Sequence, residues 1–184
     1  MPSYGWLFDQ KRCIECRACE SACKQWNSVE IGIDVRYRRV RITETGVFPQ
    51  VREVAVSSAC NHCEVAWCMM VCPVKAIWRR SEDGTVQIDR AKCVGCRQCA
   101  TFCPYQAPQW NSRTMKMEKC TMCFDRIESG MEPACSTICP TGALRFGEWS
   151  DIQKKGADRI EGFANPAQTR PKIRFETAPF PTGK

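Results

Sequence analysis

The chain has 184 residues, 43% of them hydrophobic, enough to bury a core as one domain or as two small lobes. Its formal charge of +7 would suit a nucleic-acid surface, but sixteen cysteines alter that count, because metal-bound thiolates cancel most of the Lys and Arg excess. The longest mostly apolar stretch, Val65 to Val74, falls far short of the roughly 20 residues of a membrane span, so no direct span is expected.

In chain order, the N-terminus MPSYGWLFDQKRC has no basic n-region, apolar h-region or twin arginine, which predicts a cytoplasmic chain unless an exported partner carries it out. Cys13, Cys16, Cys19 and Cys23 follow with the spacing CxxCxxCxxxC. VRYRRVRI and VREVAV then predict a β-hairpin with Thr45-Gly46 near its turn. Arg36, Arg38, Arg39 and Arg41 are read as its solvated face, a partner-docking patch being the alternative. The second group is Cys60, Cys63, Cys68 and Cys72, the same run with two residues inserted before the third cysteine and a closing CP. It encloses His62, the single histidine, which is expected to hydrogen-bond or face solvent rather than ligate, since every run already has its cysteines. AIWRR and TVQID predict two short strands around Asp83-Gly84. Cys93, Cys96, Cys99 and Cys103 form the third group, CxxCxxCxxxCP. The fourth, Cys120, Cys123, Cys135 and Cys139, has the spacing CxxCx11CxxxCP. Trp67, Trp78 and Trp110 are expected to pack beside the cysteines and shield them from water, a contact with a redox partner being the alternative for Trp67. After Cys139, PTGALRFGEW predicts a closing strand and SDIQKKGADRIEG a short helix capped by Ser150 and stopped at Gly162. The stretch from Asn165 to Lys184 has four prolines and reads as an extended arm that docks on another subunit through Ile173, Phe175 and Phe180.

Thiols at i, i+3 and i+6 can wrap three corners of a four-iron cubane, and the fourth corner lies out of their reach. The last cysteine of such a run therefore ligates the other cluster of a two-cluster unit, as in the bacterial ferredoxin run. Zinc sites are usually built from separated pairs rather than overlapping triplets, and no CxxCH is present for covalent haem. No GxGxxG, phosphate loop or Ser/His/Asp set is visible, so the chain is expected to be non-catalytic.

The short connection between Cys72 and Cys93 favours pairing the second group with the third, leaving the first to close with the fourth. This nested scheme predicts four [4Fe-4S] clusters. Their ligands would be Cys13, Cys16, Cys19 and Cys139; Cys120, Cys123, Cys135 and Cys23; Cys60, Cys63, Cys68 and Cys103; and Cys93, Cys96, Cys99 and Cys72. Sequential pairing of neighbouring groups is the alternative. With oxidised cores of about +2 each, the net charge becomes about −1. The expected fold class is α+β, with tandem bacterial-ferredoxin-like lobes and short β-hairpins. Residues 1–34 and 105–147 would form an outer lobe, 35–56 an inserted hairpin, 57–104 an inner lobe, and 148–184 a helix and extended arm.

The order of the groups, with CNHC, CVGCRQCATFCPYQAPQW and KCTMCFDRIESGMEPACSTICPTGAL, resembles the iron–sulfur electron-transfer subunits of the molybdopterin oxidoreductase superfamily. Dimethyl sulfoxide, polysulfide, thiosulfate and tetrathionate reductases and formate dehydrogenases carry such subunits, and related polyferredoxins accompany tungsten-pterin aldehyde oxidoreductases. The resemblance covers Leu7 to Gly147. It implies the nested pairing and a line of four clusters serving a molybdenum- or tungsten-pterin catalytic subunit in anaerobic respiration. A further redox subunit, a flavoprotein or a quinone-reactive membrane anchor, is compatible with it. Many relatives have proline where this chain has Glu64-Val65-Ala66-Trp67, and nitrate reductase relatives lack one third-group cysteine where Cys93, Cys96 and Cys99 are all present. The rival readings are a free polyferredoxin serving several enzymes and a zinc-binding nucleic-acid module.

Overall fold

The computed structural model describes residues 2–32 and 34–177 as a mixture of short helices and small sheets. Strand β1 (Tyr4–Asp9) is its most buried element: Trp6, Leu7 and Phe8 are each at most 1% exposed. Both faces of the strand are covered, so the apolar run is continuous rather than alternating. Helix α1 (Ala18–Trp26) carries Cys19 and Cys23 one turn apart on its buried side. The hairpin of β2 (Arg39–Thr45) and β3 (Arg52–Ser58) follows, in the register Arg39 to Ser58 through Thr45 to Arg52.

Helix α2 (Trp67–Met70) precedes β4 (Ile77–Arg79) and β5 (Val86–Ile88), the two strands expected around Asp83-Gly84. The turn between them is locked by Asp83 Oδ1, which accepts bonds from the Thr85 amide at 2.8 Å and its hydroxyl at 2.7 Å. Helix α3 (Gln98–Thr101) is followed by a hairpin the sequence did not announce, β6 (Gln109–Asn111) and β7 (Lys116–Glu118). Helices α4 (Phe124–Glu128) and α5 (Ala134–Thr137) lead to β8 (Leu144–Glu148), the expected closing strand.

Two apolar cores result. One gathers Trp6, Phe8, Val40, Leu144, Ile173 and Phe175 with Cys19, Cys23, Cys60, Cys120 and Cys135. The other gathers Ala76, Ile77, Val86 and Met117 with Cys93 and Cys99, so β7 packs beside β4 and β5. Helix α1 packs on α5, and α2 on α3.

The C-terminal segment departs from expectation. The helix α6 (Trp149–Ile152) is a single turn, starting after an extended Glu148 with no side-chain cap from Ser150. It cannot continue because Gly156, at φ +52°, brings the chain against β9 (Ile173–Glu176): a Cβ on Gly156 would lie 2.2 Å from the Phe175 carbonyl. Strand β9 pairs in parallel with β1, giving the order β8-β1-β9, and Ile173 and Phe175 are 1% and 0% exposed. These two anchors therefore bury in this chain's own core and not on another subunit, because β1 offers an edge whose backbone groups β9 satisfies. Phe180 lies outside the described residues. Phe175→Ala is expected to destabilise the iron-loaded chain by about 3–5 kcal/mol, read as a lowered thermal midpoint. An unchanged midpoint would restore the detachable arm.

Candidate functional site

The four cysteine groups share one backbone design. In each, the residue two after the first cysteine is left-handed: Glu15 (φ 59°), His62 (43°), Gly95 (73°) and Met122 (61°). That turn aims an amide back at the sulfur, as in Gly95 N–H to Cys93 Sγ at 3.4 Å and Met122 N–H to Cys120 Sγ at 3.3 Å. Gly95 alone uses glycine, where a Cβ would meet the Met115 carbonyl at 2.6 Å. The third cysteine then lies on a helix, Cys19 on α1, Cys68 on α2, Cys99 on α3 and Cys135 on α5. Three residues after the cysteine of each CP the backbone is again left-handed, at Lys75, Gln106 and Gly142. This hook presents Ala76, Ala107 and Leu144 N–H to the sulfurs of Cys72, Cys103 and Cys139 at 3.2, 3.4 and 3.4 Å. Amide bonds of this kind stabilise thiolate over thiol.

Three cavities sit against these hooks. One is lined by Cys60, Cys63, Cys68 and Cys103; a second by Cys13, Cys16, Cys19 and Cys139; a third by Cys72, Cys93, Cys96 and Cys99. The remaining four also meet. Asn27 Nδ2 lies 3.8 and 3.7 Å from the sulfurs of Cys23 and Cys123, and burial, then the charges of Cys135 and Cys123, push the Cys23 thiol up to about 12. Among the described residues no three His, Cys, Asp or Glu side chains converge on a single ion. Four sulfur donors around each space, with amides bonded to sulfur, fit a four-iron cubane.

The groups adjoin in a series. Cys135 acts on Cys19, Cys60 on Cys120 and Cys99 on Cys68, in each case raising a thiol that burial raises first. Cys16 and Cys96, at the two ends of this series, are exposed, whereas Cys60 and Cys120 are buried. Burial pushes Cys68 up to about 12 and Cys99 up to about 11, with neighbouring thiols adding to it. Cys139 moves the other way: burial raises it, but the bonds from Leu144, Thr141 and Ala143 prevail.

His62 hydrogen-bonds as expected and does not face solvent. It is 1% exposed, and its Nδ1 accepts the Val86 N–H at 3.0 Å. Burial, then the charges of Lys119, Lys172 and Arg79, hold its pKa well below the usual imidazole range, so the ring is neutral and its proton sits on Nε2. Nε2 has no hydrogen-bond partner, and the residue lines the cavity of Cys60, Cys63, Cys68 and Cys103. Trp67 lines the same cavity, and Trp110 packs on the second core beneath the Arg97 guanidinium. Trp78 is 44% exposed, so of the three it shields least.

The arginine row is not one solvated face. Arg38 is buried; Arg36 pairs with Glu20 at 3.5 Å; Arg39 and Arg41 reach Gln106 at 2.6 and 2.8 Å and tie the hairpin to the third motif. Sequence reasoning also passed over Lys119, which is buried with its ammonium on the carbonyls of Val86 and Cys120 and offsets part of the rise that burial imposes on the Cys68 and Cys103 thiols. Its place directly before the fourth motif was the one available signal.

Two family descriptions match the sequence, a 4Fe-4S dicluster domain over residues 51–149 and a 4Fe-4S binding domain over residues 10–26. Among curated proteins, one of the chains of the anaerobic dimethyl sulfoxide reductase of Escherichia coli K12 is 40% identical over 163 residues, covering 84% of this chain and 78% of that one. The thiosulfate reductase electron transfer subunit PhsB of Salmonella typhi is 40% identical over 154 residues, 82% of this chain and 80% of the relative. One of the subunits of the sulfite dehydrogenase of Allochromatium vinosum is 34% identical over 170 residues, 82% of this chain and 71% of the relative. With thiol-lined cavities behind both matched regions, the protein belongs to the 4Fe-4S dicluster family, among the iron–sulfur electron-transfer subunits of the molybdopterin oxidoreductase superfamily.

Proposed function

We propose that the sixteen cysteines hold four [4Fe-4S] clusters in the nested sets, and that the clusters relay electrons between a molybdenum- or tungsten-pterin catalytic subunit and a second redox partner. The observation that carries this reading is the composition of the cavities, each lined by three cysteines of one motif and the last cysteine of another. The two-lobe division follows the same pairs, α1 with α5 and α2 with α3. A bound cubane accepts and returns one electron without moving atoms far. The protein's part is to hold the sulfurs by amide bonds, to keep water from the buried sets, and to leave Cys16 and Cys96 near the surface as the two terminals.

The chain is an electron-transfer subunit, and the substrate chemistry belongs to its partner. Among the described residues no helix is long and apolar enough to cross a membrane. The tagged chain, isolated anaerobically from its native host, is expected to bring down one pterin-containing subunit in equal amount, with molybdenum or tungsten found by elemental analysis. Recovery of fully iron-loaded chain alone, exchanging electrons with several unrelated enzymes, would replace this reading with a free polyferredoxin.

A further inference from the structure

Arg38 is 1% exposed, and among the described residues no carboxylate pairs with it. A buried guanidinium without an anion is prohibitively unfavourable, so its counter-charge has to lie elsewhere. Its Nη1 bonds the Ser57 carbonyl at 3.3 Å and hydroxyl at 3.2 Å, and the Trp6 ring lies against it, 4.3 Å from centroid to guanidinium carbon. Nε and Nη2 are buried with no protein N or O partner.

The buried core around the guanidinium is rich in sulfur: Trp6, on which it stacks, packs in one core with Cys19, Cys23, Cys120 and Cys135, and the Ser57 hydroxyl that accepts from it stands 3.5 Å from Cys19 Sγ. These four cysteines belong to two different sets, and α1 explains why one residue meets both: Cys19 and Cys23 stand one helical turn apart on the same face.

Resting on the cluster reading above, we infer that Arg38 is a shared redox-tuning cation that raises the reduction potentials of the two clusters held by Cys13, Cys16, Cys19 and Cys139 and by Cys23, Cys120, Cys123 and Cys135. Each reduction places one further negative charge beside a fixed positive one in a medium that screens poorly, so the cation favours the reduced form. Trp6 and Ser57 hold the guanidinium in place, which makes them positioning residues. The set of Cys60, Cys63, Cys68 and Cys103 has a separate buried cation in Lys119, whose charge acts on Cys68 and Cys103, and Arg38 is not expected to affect that set or the set of Cys72, Cys93, Cys96 and Cys99.

The test is a potentiometric titration of the full, iron-loaded chain followed by electron paramagnetic resonance, for the unaltered protein, Arg38→Met and Arg38→Lys. The reductant is dithionite, which supplies the electron. In Arg38→Met the one-electron reduction equilibrium of both clusters should fall at least tenfold, about 59 mV for a one-electron couple, and Arg38→Lys should recover most of that fall. The other two clusters should hold their potentials. Movement of one cluster, of none or of all four, or a lysine variant no better than methionine, would overturn the inference.

If Arg38→Met fails to load iron, the unaltered chain grown with ¹⁵N-arginine decides. Guanidinium nitrogen couplings should appear on both reduced clusters and disappear in Arg38→Lys; their absence from either would refute the shared role. Iron content measured on the same unaltered sample separates the two failures, since a deficit there counts against the four-cluster reading and not against Arg38.

Discussion

Anaerobically isolated protein is expected to carry about sixteen irons per chain and to lose its fold when they are removed. The reason lies in how little the polypeptide holds by itself. Among the described residues its longest helix has nine residues and the others four or five, whereas isolated helices need about 12–15 to be even marginal. Three of the four sheets described are two-stranded, a form with little stability alone. The hooks are strained as well. Glu15, Arg17, His62, Lys75, Arg97, Gln106, Met122 and Cys123 all hold side chains at positive φ, at roughly 1–2 kcal/mol each. Without metal those turns have nothing to offset them, and the cavities are left lined by thiols. Chelation under reducing conditions should abolish the far-ultraviolet dichroism of the folded chain and make it an open protease substrate. Iron near eight, stoichiometric zinc, or an iron-free chain that still melts cooperatively would each contradict the four-cluster account.

Replacing Cys139 with Ser should damage the cluster held by Cys13, Cys16 and Cys19 and spare that of Cys120, Cys123 and Cys135, its own motif neighbours. Cys139 faces the cavity of the first group, and the hook after Pro140 directs the Leu144 amide onto its sulfur at 3.4 Å. Those bonds hold the Cys139 thiol below its ordinary value. A serine hydroxyl is a much harder donor and a poor ligand for iron at neutral pH, so the loss is about one iron if a three-iron cluster remains and about four if the cubane is lost. Iron analysis with paramagnetic resonance of the reduced and oxidised chain reads both outcomes. Cys23→Ser is the mirror experiment and should damage the cluster of Cys120, Cys123 and Cys135. Loss confined to the mutated cysteine's own motif, in either variant, would require sequential rather than nested ligation.

Several features were legible because they are local. The four runs and the turn at Asp83-Gly84 each depend on residues within a short span, as does the closing strand after Cys139. The β2–β3 hairpin was legible in kind, though its strands start and end a few residues later than the alternation suggested. Strand β9 was not, because four prolines mask a short stretch whose partner, β1, lies more than 160 residues away.

By itself, the sequence determined the chemistry: sixteen thiols at intervals that suit cubane corners, closing prolines, and no set of residues for substrate work. Ligand spacing is a property of a few adjacent residues, so it survives without knowledge of the fold. Only the tertiary structure decided which thiols face one another and which arginine is buried among them. In VRYRRVRI the alternation says that neighbours point to opposite sides, but not that Arg38 faces Trp6 and Ser57 while Arg41 stays exposed. That depends on α1, β1, β3 and α5 converging from distant parts of the chain, where the thiolates of the proposed clusters would supply the counter-charge for a buried guanidinium.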